Sequence, residues 1–110
     1  RVISQASRER GYTFIRNLGS HGVGLSLHEA PKFIAPYYDR QDKRRLKAGM
    51  VITIEPFISN GAHQVDEADD GWTLYTAKRF QTVQFEHSMI ITEQKPLILT
   101  EVVGSENVVA

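Results

Sequence analysis

The run from Met50 to Ile58, Met-Val-Ile-Thr-Ile-Glu-Pro-Phe-Ile, constrains this chain more than any other stretch. Val51, Ile52 and Ile54 are β-branched, which suits a pleated surface better than a helix. Apolar residues fall on both faces, so the run predicts a strand covered on two sides. Glu55 ends its apolar part, and an unpaired carboxylate is costly to remove from water. Burial there demands a cation, a metal or a shifted pKa. Pro56 stops the ladder directly afterwards, which predicts a carboxylate at a sheet edge facing a cleft. A strand-end glutamate paired with an arginine is the alternative.

A second long strand is expected from Gln81 to Thr92. Its period of two sets Thr82, Gln84, Glu86, Ser88 and Ile90 against Val83, Phe85, His87, Met89 and Ile91. Glu86 thus shares a polar face with Gln84 and Ser88, either a solvated sheet surface or a functional cleft.

The rest of the chain is built of shorter pieces. Val2, Ile3 and Ala6 have helical spacing and Gly11 follows as a stop, so residues 1–10 read as the last turns of a helix. A short strand is expected within 12–18, after which Gly19, Gly22 and Gly24 break regular structure and allow close backbone approach. Residues 30–49 contain two prolines and a cluster of charges, and read as a solvated loop with at most one helical turn. Ser59-Asn60-Gly61 is a turn signal. Asp66 to Gly71 leads into a short strand over 72–76, and a last strand is expected over 97–103 before a frayed tail from Gly104.

Composition excludes several classes. The 110 residues carry 13 basic and 13 acidic side chains, so charge alone suggests neither nucleic acid nor an anionic membrane as a partner. The 41% hydrophobic and 24% charged fractions are those of ordinary globular proteins. There is no cysteine, hence no disulfide framework and no thiolate zinc site. No apolar run approaches the ~20 residues needed to span a bilayer, and the start Arg1-Val2-Ile3-Ser4-Gln5 has no secretory pattern. The absence of an initial methionine leads us to expect processing or truncation.

Three segments can carry chemistry. In His21-Gly22-Val23-Gly24-Leu25-Ser26-Leu27-His28-Glu29 the two histidines stand seven residues apart. A turn at the glycines would bring both into one cleft, where imidazole ligates a metal or donates to a carbonyl. The alternative is a glycine-rich surface loop with solvated histidines. Glu55 and Glu86 supply the other two segments. One histidine and two carboxylates from separate strands are a donor set suited to a divalent ion. His63 reads as a surface-loop residue and the basic residues 43–45 as a solvated face. Trp72 is a core aromatic or a pocket wall, with packing the commoner fate.

Six segments in order resemble the type I methionine aminopeptidases, a branch of the creatinase/aminopeptidase family with the "pita-bread" fold. They are His21-Gly22-Val23-Gly24, His28-Glu29-Ala30-Pro31, Lys47-Ala48-Gly49-Met50, Thr53-Ile54-Glu55-Pro56, Asp70-Gly71-Trp72-Thr73 and Gln84-Phe85-Glu86-His87-Ser88. The resemblance runs from about residue 2 to residue 101. Prolidases and X-Pro aminopeptidases share the first glycine-rich piece and the glutamate-proline piece, and form the alternative enzyme class. A non-catalytic protein-binding module of the same fold is a further alternative, though such proteins usually lose ligands that are kept here.

The resemblance implies an α+β fold: the C-terminal half of a pita-bread domain over residues 1–110, a mainly antiparallel curved sheet flanked by an N-terminal helix. It implies that His21, Glu55 and Glu86 are metal ligands, with Glu86 bridging two divalent ions (manganese, iron or cobalt, possibly zinc). His28 would hydrogen-bond the substrate near the scissile amide. Leu27, Trp72 and Gln84 would line the pocket for an N-terminal methionine side chain, Leu27 standing where the family usually has an aromatic residue. The implied chemistry is two-metal hydrolysis of the first peptide bond of nascent proteins and peptides in the cytoplasm. His28 would steady the developing oxyanion and Glu55 would pass a proton to the leaving amine.

The same resemblance implies two further aspartate ligands in the N-terminal half of the fold. Asp39, Asp42, Asp66, Asp69 and Asp70 lie between the matched segments and are not expected to replace them. The isolated chain is therefore expected to bind metal weakly or not at all and to have little peptidase activity. Half a sheet would also expose strand edges and apolar surface, so self-association is expected.

Overall fold

A computed structural model describes residues 1–77 and 79–102. The chain opens with helix α1, Val2–Glu9. Gly11 follows in the left-handed region at φ 76°, with Gly11 N–H donating to the Arg8 carbonyl and Tyr12 N–H to that of Ser7. These paired bonds satisfy the last carbonyls of the helix, as glycine at this position permits. The apolar positions of the helix are not its most buried ones. Ser4 and Ser7 point inward, while Val2 is 80% exposed. The two hydroxyls donate to the carbonyls of Arg1 and Ile3, so their burial leaves no polar group unpaired. Ile3 and Ala6 instead line an apolar groove of about 740 Å³, facing Tyr12, Ile58 and Val83.

Ten short strands follow: β1 (Thr13–Phe14), β2 (Ser20–Gly22), β3 (Glu29–Ile34), β4 (Val51–Ile54), β5 (Phe57–Ser59), β6 (Asp66–Glu67), β7 (Leu74–Tyr75), β8 (Thr82–Gln84), β9 (His87–Ile90) and β10 (Leu97–Ile98). They form a five-stranded sheet in the order β10-β9-β4-β2-β3, a three-stranded sheet β1-β5-β8 and the hairpin β6-β7. All recorded pairings are antiparallel. The architecture is α+β with an antiparallel bias, as expected.

Several local expectations need correction. Each of the two long strands is divided between sheets. Residues 50–58 become β4 in the larger sheet and β5 in the smaller, separated by Glu55-Pro56. Residues 81–92 become β8 and β9, separated by Phe85-Glu86. Pro56 has no N–H to give to a ladder, so pairing lapses there and the chain changes sheet.

The glycine segment is not wholly irregular, since Ser20-His21-Gly22 is a strand with all three residues buried. A Cβ on Gly22 would collide with the Ala30 carbonyl, the close approach that glycine allows. The span read as a solvated loop begins with β3, a six-residue strand containing Pro31. β3 lies at a sheet edge, where a missing N–H costs little. Asp66, in the stretch expected only to lead into a strand, itself belongs to β6. The last strand stops at Ile98, and the expected fraying from Gly104 falls outside the described residues.

The core is small. Ile15, Ala62 and Val65 form its centre, with Leu18, Phe57 and Phe80 against it. Asn17 ties this cluster together, its amide donating to the Val65 carbonyl and its oxygen accepting from Val65 N–H. Ile52, fully buried in β4, anchors the larger sheet beside the site.

Candidate metal site

The best-defined polar cluster lies where β2 and β4 run side by side. Gly22 pairs with Ile52 across an antiparallel ladder, so one step along each strand sets His21 opposite Thr53. On β4 the period of two then puts Glu55 on the same face as Thr53. His21 Nε2 lies 3.0 Å from Glu55 Oε1, with side-chain exposures of 8% and 15%. The partly buried carboxylate therefore has a partner, and it is a histidine rather than an arginine.

Each remaining polar atom of this pair has a defined neighbour or an opening. His21 Nδ1 is 2.8 Å from the Gly22 carbonyl. A carbonyl can only accept, so Nδ1 carries a proton and Nε2 is the atom aimed at Glu55. Thr53 Oγ1 donates to Glu55 Oε1 at 2.8 Å and accepts from His21 N–H at 3.2 Å. Ser20 Oγ accepts from the Glu55 N–H at 3.1 Å. Glu55 and Ser20 border a cavity of about 250 Å³ together with Ile34, Pro36 and Ile54. Ser20 and Thr53 were not singled out from sequence, although their positions beside His21 and two residues before Glu55 are the signal that identifies them.

This donor pair fits a divalent ion. An imidazole nitrogen and a carboxylate oxygen facing each other call for a positive centre between them, a proton or a metal ion. Two ligand atoms each ~2.1 Å from one ion and at right angles would stand ~3.0 Å apart, so the 3.0 Å separation accommodates a shared ion as readily as a shared proton. Protonation of Nδ1 toward a backbone carbonyl is also the arrangement that leaves Nε2 free to ligate.

Glu86 occupies the matching position on the other strand pair. Ile54 pairs with His87 in the larger sheet and Phe57 with Gln84 in the smaller. Stepping inward from either pair sets Glu55 opposite Glu86 and Pro56 opposite Phe85. The side chain of Glu86 is nevertheless exposed and accepts a hydrogen bond from Gln84 Nε2 at 3.3 Å. Among the described residues no three His, Asp or Glu side chains converge closely enough to hold an ion. His21 and Glu55 are thus brought together, and Glu86 is aligned with them in register but turned aside.

The remaining candidates are more dispersed. The His28 ring lies against that of His21, centroids 4.2 Å apart and planes inclined by 41°, with His28 itself exposed. Leu27 and Trp72 are 72% and 87% exposed, so Trp72 is not a core aromatic. Gln84 borders a separate cavity of about 310 Å³ with Leu18, Phe57, Val65 and Tyr75. His63 is exposed, as expected. Asp70 closes the β6–β7 turn by accepting from Trp72 N–H, Thr73 N–H and the Thr73 hydroxyl. Those bonds, the Thr73 hydroxyl foremost, hold its pKa below the ordinary carboxylate value.

The model of metallopeptidase family M24 matches residues 1–93. The chain belongs to metallopeptidase family M24. Within this family it is similar to methionine aminopeptidase 2 of Bacillus subtilis, 46% identical over 101 residues that cover 92% of this chain and 41% of that protein. A methionine aminopeptidase of Staphylococcus epidermidis is 41% identical over 102 residues, covering 93% and 41%. The crystal structure of a methionine aminopeptidase from Thermotoga maritima superposes with a TM-score of 0.81 at 37% identity, covering 91% of this chain and 40% of that one. That of the Rickettsia prowazekii enzyme gives 0.81 at 30%, covering 89% and 40%. The chain thus spans about two-fifths of the length of the M24 relatives it matches, and over that part it has their fold. Among the described residues no helix is long and apolar enough to cross a membrane.

Proposed function

We propose that this chain supplies part of the active site of a methionine aminopeptidase, which removes N-terminal methionine from peptides and nascent chains by two-metal hydrolysis in the cytoplasm. The observation that carries the reading is the pair of buried His21 and partly buried Glu55, whose 3.0 Å separation and Nδ1-protonated histidine suit a shared ion. The relatives' names support the substrate class. In this reading residues 1–110 form the C-terminal part of the catalytic domain, and two aspartates from the rest of the fold complete the ligand set.

His21, Glu55 and Glu86 would hold the ions, Glu86 swinging from Gln84 toward the carboxylate it faces in register. Bound there, two divalent ions of manganese, iron, cobalt or zinc would activate water and polarise the scissile carbonyl. His28, against His21, would donate to the carbonyl oxygen as charge grows on it. Glu55 would carry a proton to the departing amine. Leu27, Trp72 and Gln84 would surround the methionine side chain once the remaining walls are present.

The test is metal content and turnover of a methionyl peptide in the complete protein and its His21→Ala variant. We expect the variant to lose turnover and at least one equivalent of metal. Unchanged metal content and rate would sink the ligand assignment. Rapid turnover by the 110-residue chain alone would overturn the need for further ligands.

A further inference from the structure

His21, Thr53 and Glu55 close a ring, made of two hydrogen bonds and the approach of Glu55 Oε1 to His21 Nε2, that metal ligation by itself does not explain. His21 N–H donates to Thr53 Oγ1 at 3.2 Å, Thr53 Oγ1 donates to Glu55 Oε1 at 2.8 Å, and Oε1 stands 3.0 Å from Nε2 of the same histidine. The direction of the bonds follows from the groups. The backbone N–H can only donate, so it uses a lone pair of the hydroxyl. The one hydroxyl proton is then free for the carboxylate, which accepts. Thr53 is 1% exposed, so its hydroxyl is shielded from solvent.

Glu55 needs such a constraint. Its backbone is held by Ser20 Oγ, but that bond leaves the side-chain torsions free. A glutamate side chain loses of the order of 1–2 kcal/mol of rotamer entropy when fixed. A hydroxyl two residues earlier on the same strand face is placed to fix it, because β4 repeats every second residue. Thr53 itself is rigid, since β-branching restricts its χ1.

We propose that Thr53 is a positioning residue for metal binding: its hydroxyl pins Glu55 Oε1 toward His21 Nε2 and so presets the two donor atoms before an ion arrives. The inference rests on the metal-binding reading of His21 and Glu55.

The test uses the complete protein, Co²⁺ as the probe, and four forms: wild type, Thr53→Val, Thr53→Ser and Thr53→Ala. Affinity is read by calorimetry and ligand geometry by the visible absorption of the bound Co²⁺. Valine keeps the shape of threonine without its hydroxyl, and serine and alanine differ from each other by the hydroxyl alone. Loss of the hydroxyl is expected to weaken Co²⁺ binding about 10–100-fold and to shift the absorption, with serine within about threefold of wild type.

Valine and alanine variants that bind like wild type with an unchanged spectrum would overturn the proposal. So would a serine variant as weak as alanine. If the valine variant does not fold, the serine–alanine comparison decides. If wild type binds no Co²⁺, the metal reading itself fails and the positioning role falls with it, a result distinct from wild-type binding that is insensitive to position 53.

Discussion

Glu55 and Glu86 stand opposite one another in a register that is the same in two different sheets. Ile54–His87 fixes it on one side and Phe57–Gln84 on the other, with Pro56 and Phe85 in the unpaired step between. The break in pairing therefore costs no slippage. It frees two carboxylate-bearing positions from the ladder while keeping them aligned, which is what a site built from two strands requires.

That alignment can be read chemically, because the chain has no cysteine of its own. Directly opposed residues have Cβ atoms ~4.5–5.5 Å apart and diagonal neighbours ~7–8 Å. Glu55→Cys with Glu86→Cys should form an intrachain disulfide under mild oxidation. Glu55→Cys with Gln84→Cys should react much more slowly. Equal rates, or faster bonding of the second pair, would show a different register.

Gly22 is required by its neighbour rather than by its own backbone angles. An added Cβ would run into the carbonyl group of Ala30 on β3, and backbone atoms cannot swing aside as a side chain can. Gly22→Ala should cost about 1–3 kcal/mol, the usual range for overpacking. The urea midpoint should fall with little change in slope. A midpoint equal to wild type would mean that β3 shifts freely.

Asp42 is the exposed group with the clearest electrostatic signature. The Arg44 side chain donates to both its oxygens at 2.9 and 2.6 Å, and the Arg44 N–H donates as well. These bonds lower its pKa from 3.8 to about 2. The folded value lies below the unfolded one, so the associated stabilisation is present above about pH 4 and is lost as pH falls toward 2. A carboxyl-carbon NMR titration should place Asp42 near 2. Arg44→Ala should raise it only part of the way, since the backbone donor remains. A wild-type midpoint at the ordinary carboxylate value would contradict the bidentate contact.

The 110-residue chain should associate. Among the described residues only five hydrophobic residues are buried, against fifteen large ones exposed, including Val83, Phe85 and Leu97 beside strand edges. Unpaired edges and apolar patches favour contact with other chains. Light scattering should give a mass above that of one chain at micromolar concentration. A strictly monomeric mass across that range would refute this.

Much of the site was legible before any fold was known. Glu55 identified itself through the conflict between its charge and the apolar run it ends, and six ordered segments led to the family. The sequence also revealed the helix end at Gly11 and the antiparallel bias. These are local properties: β-branching, glycine freedom and periodicity act within a few residues. Only the tertiary structure decided that each long strand serves two sheets, that Ser4 and Ser7 rather than Val2 face inward, and that Trp72 stands in solvent. A period of two says which residues share a face but not which neighbour that face meets. For the same reason Thr53 passed as one more strand residue. Its role emerged when β2 lay beside β4, and pairing across that boundary brought its hydroxyl between the backbone of His21 and the carboxylate of Glu55.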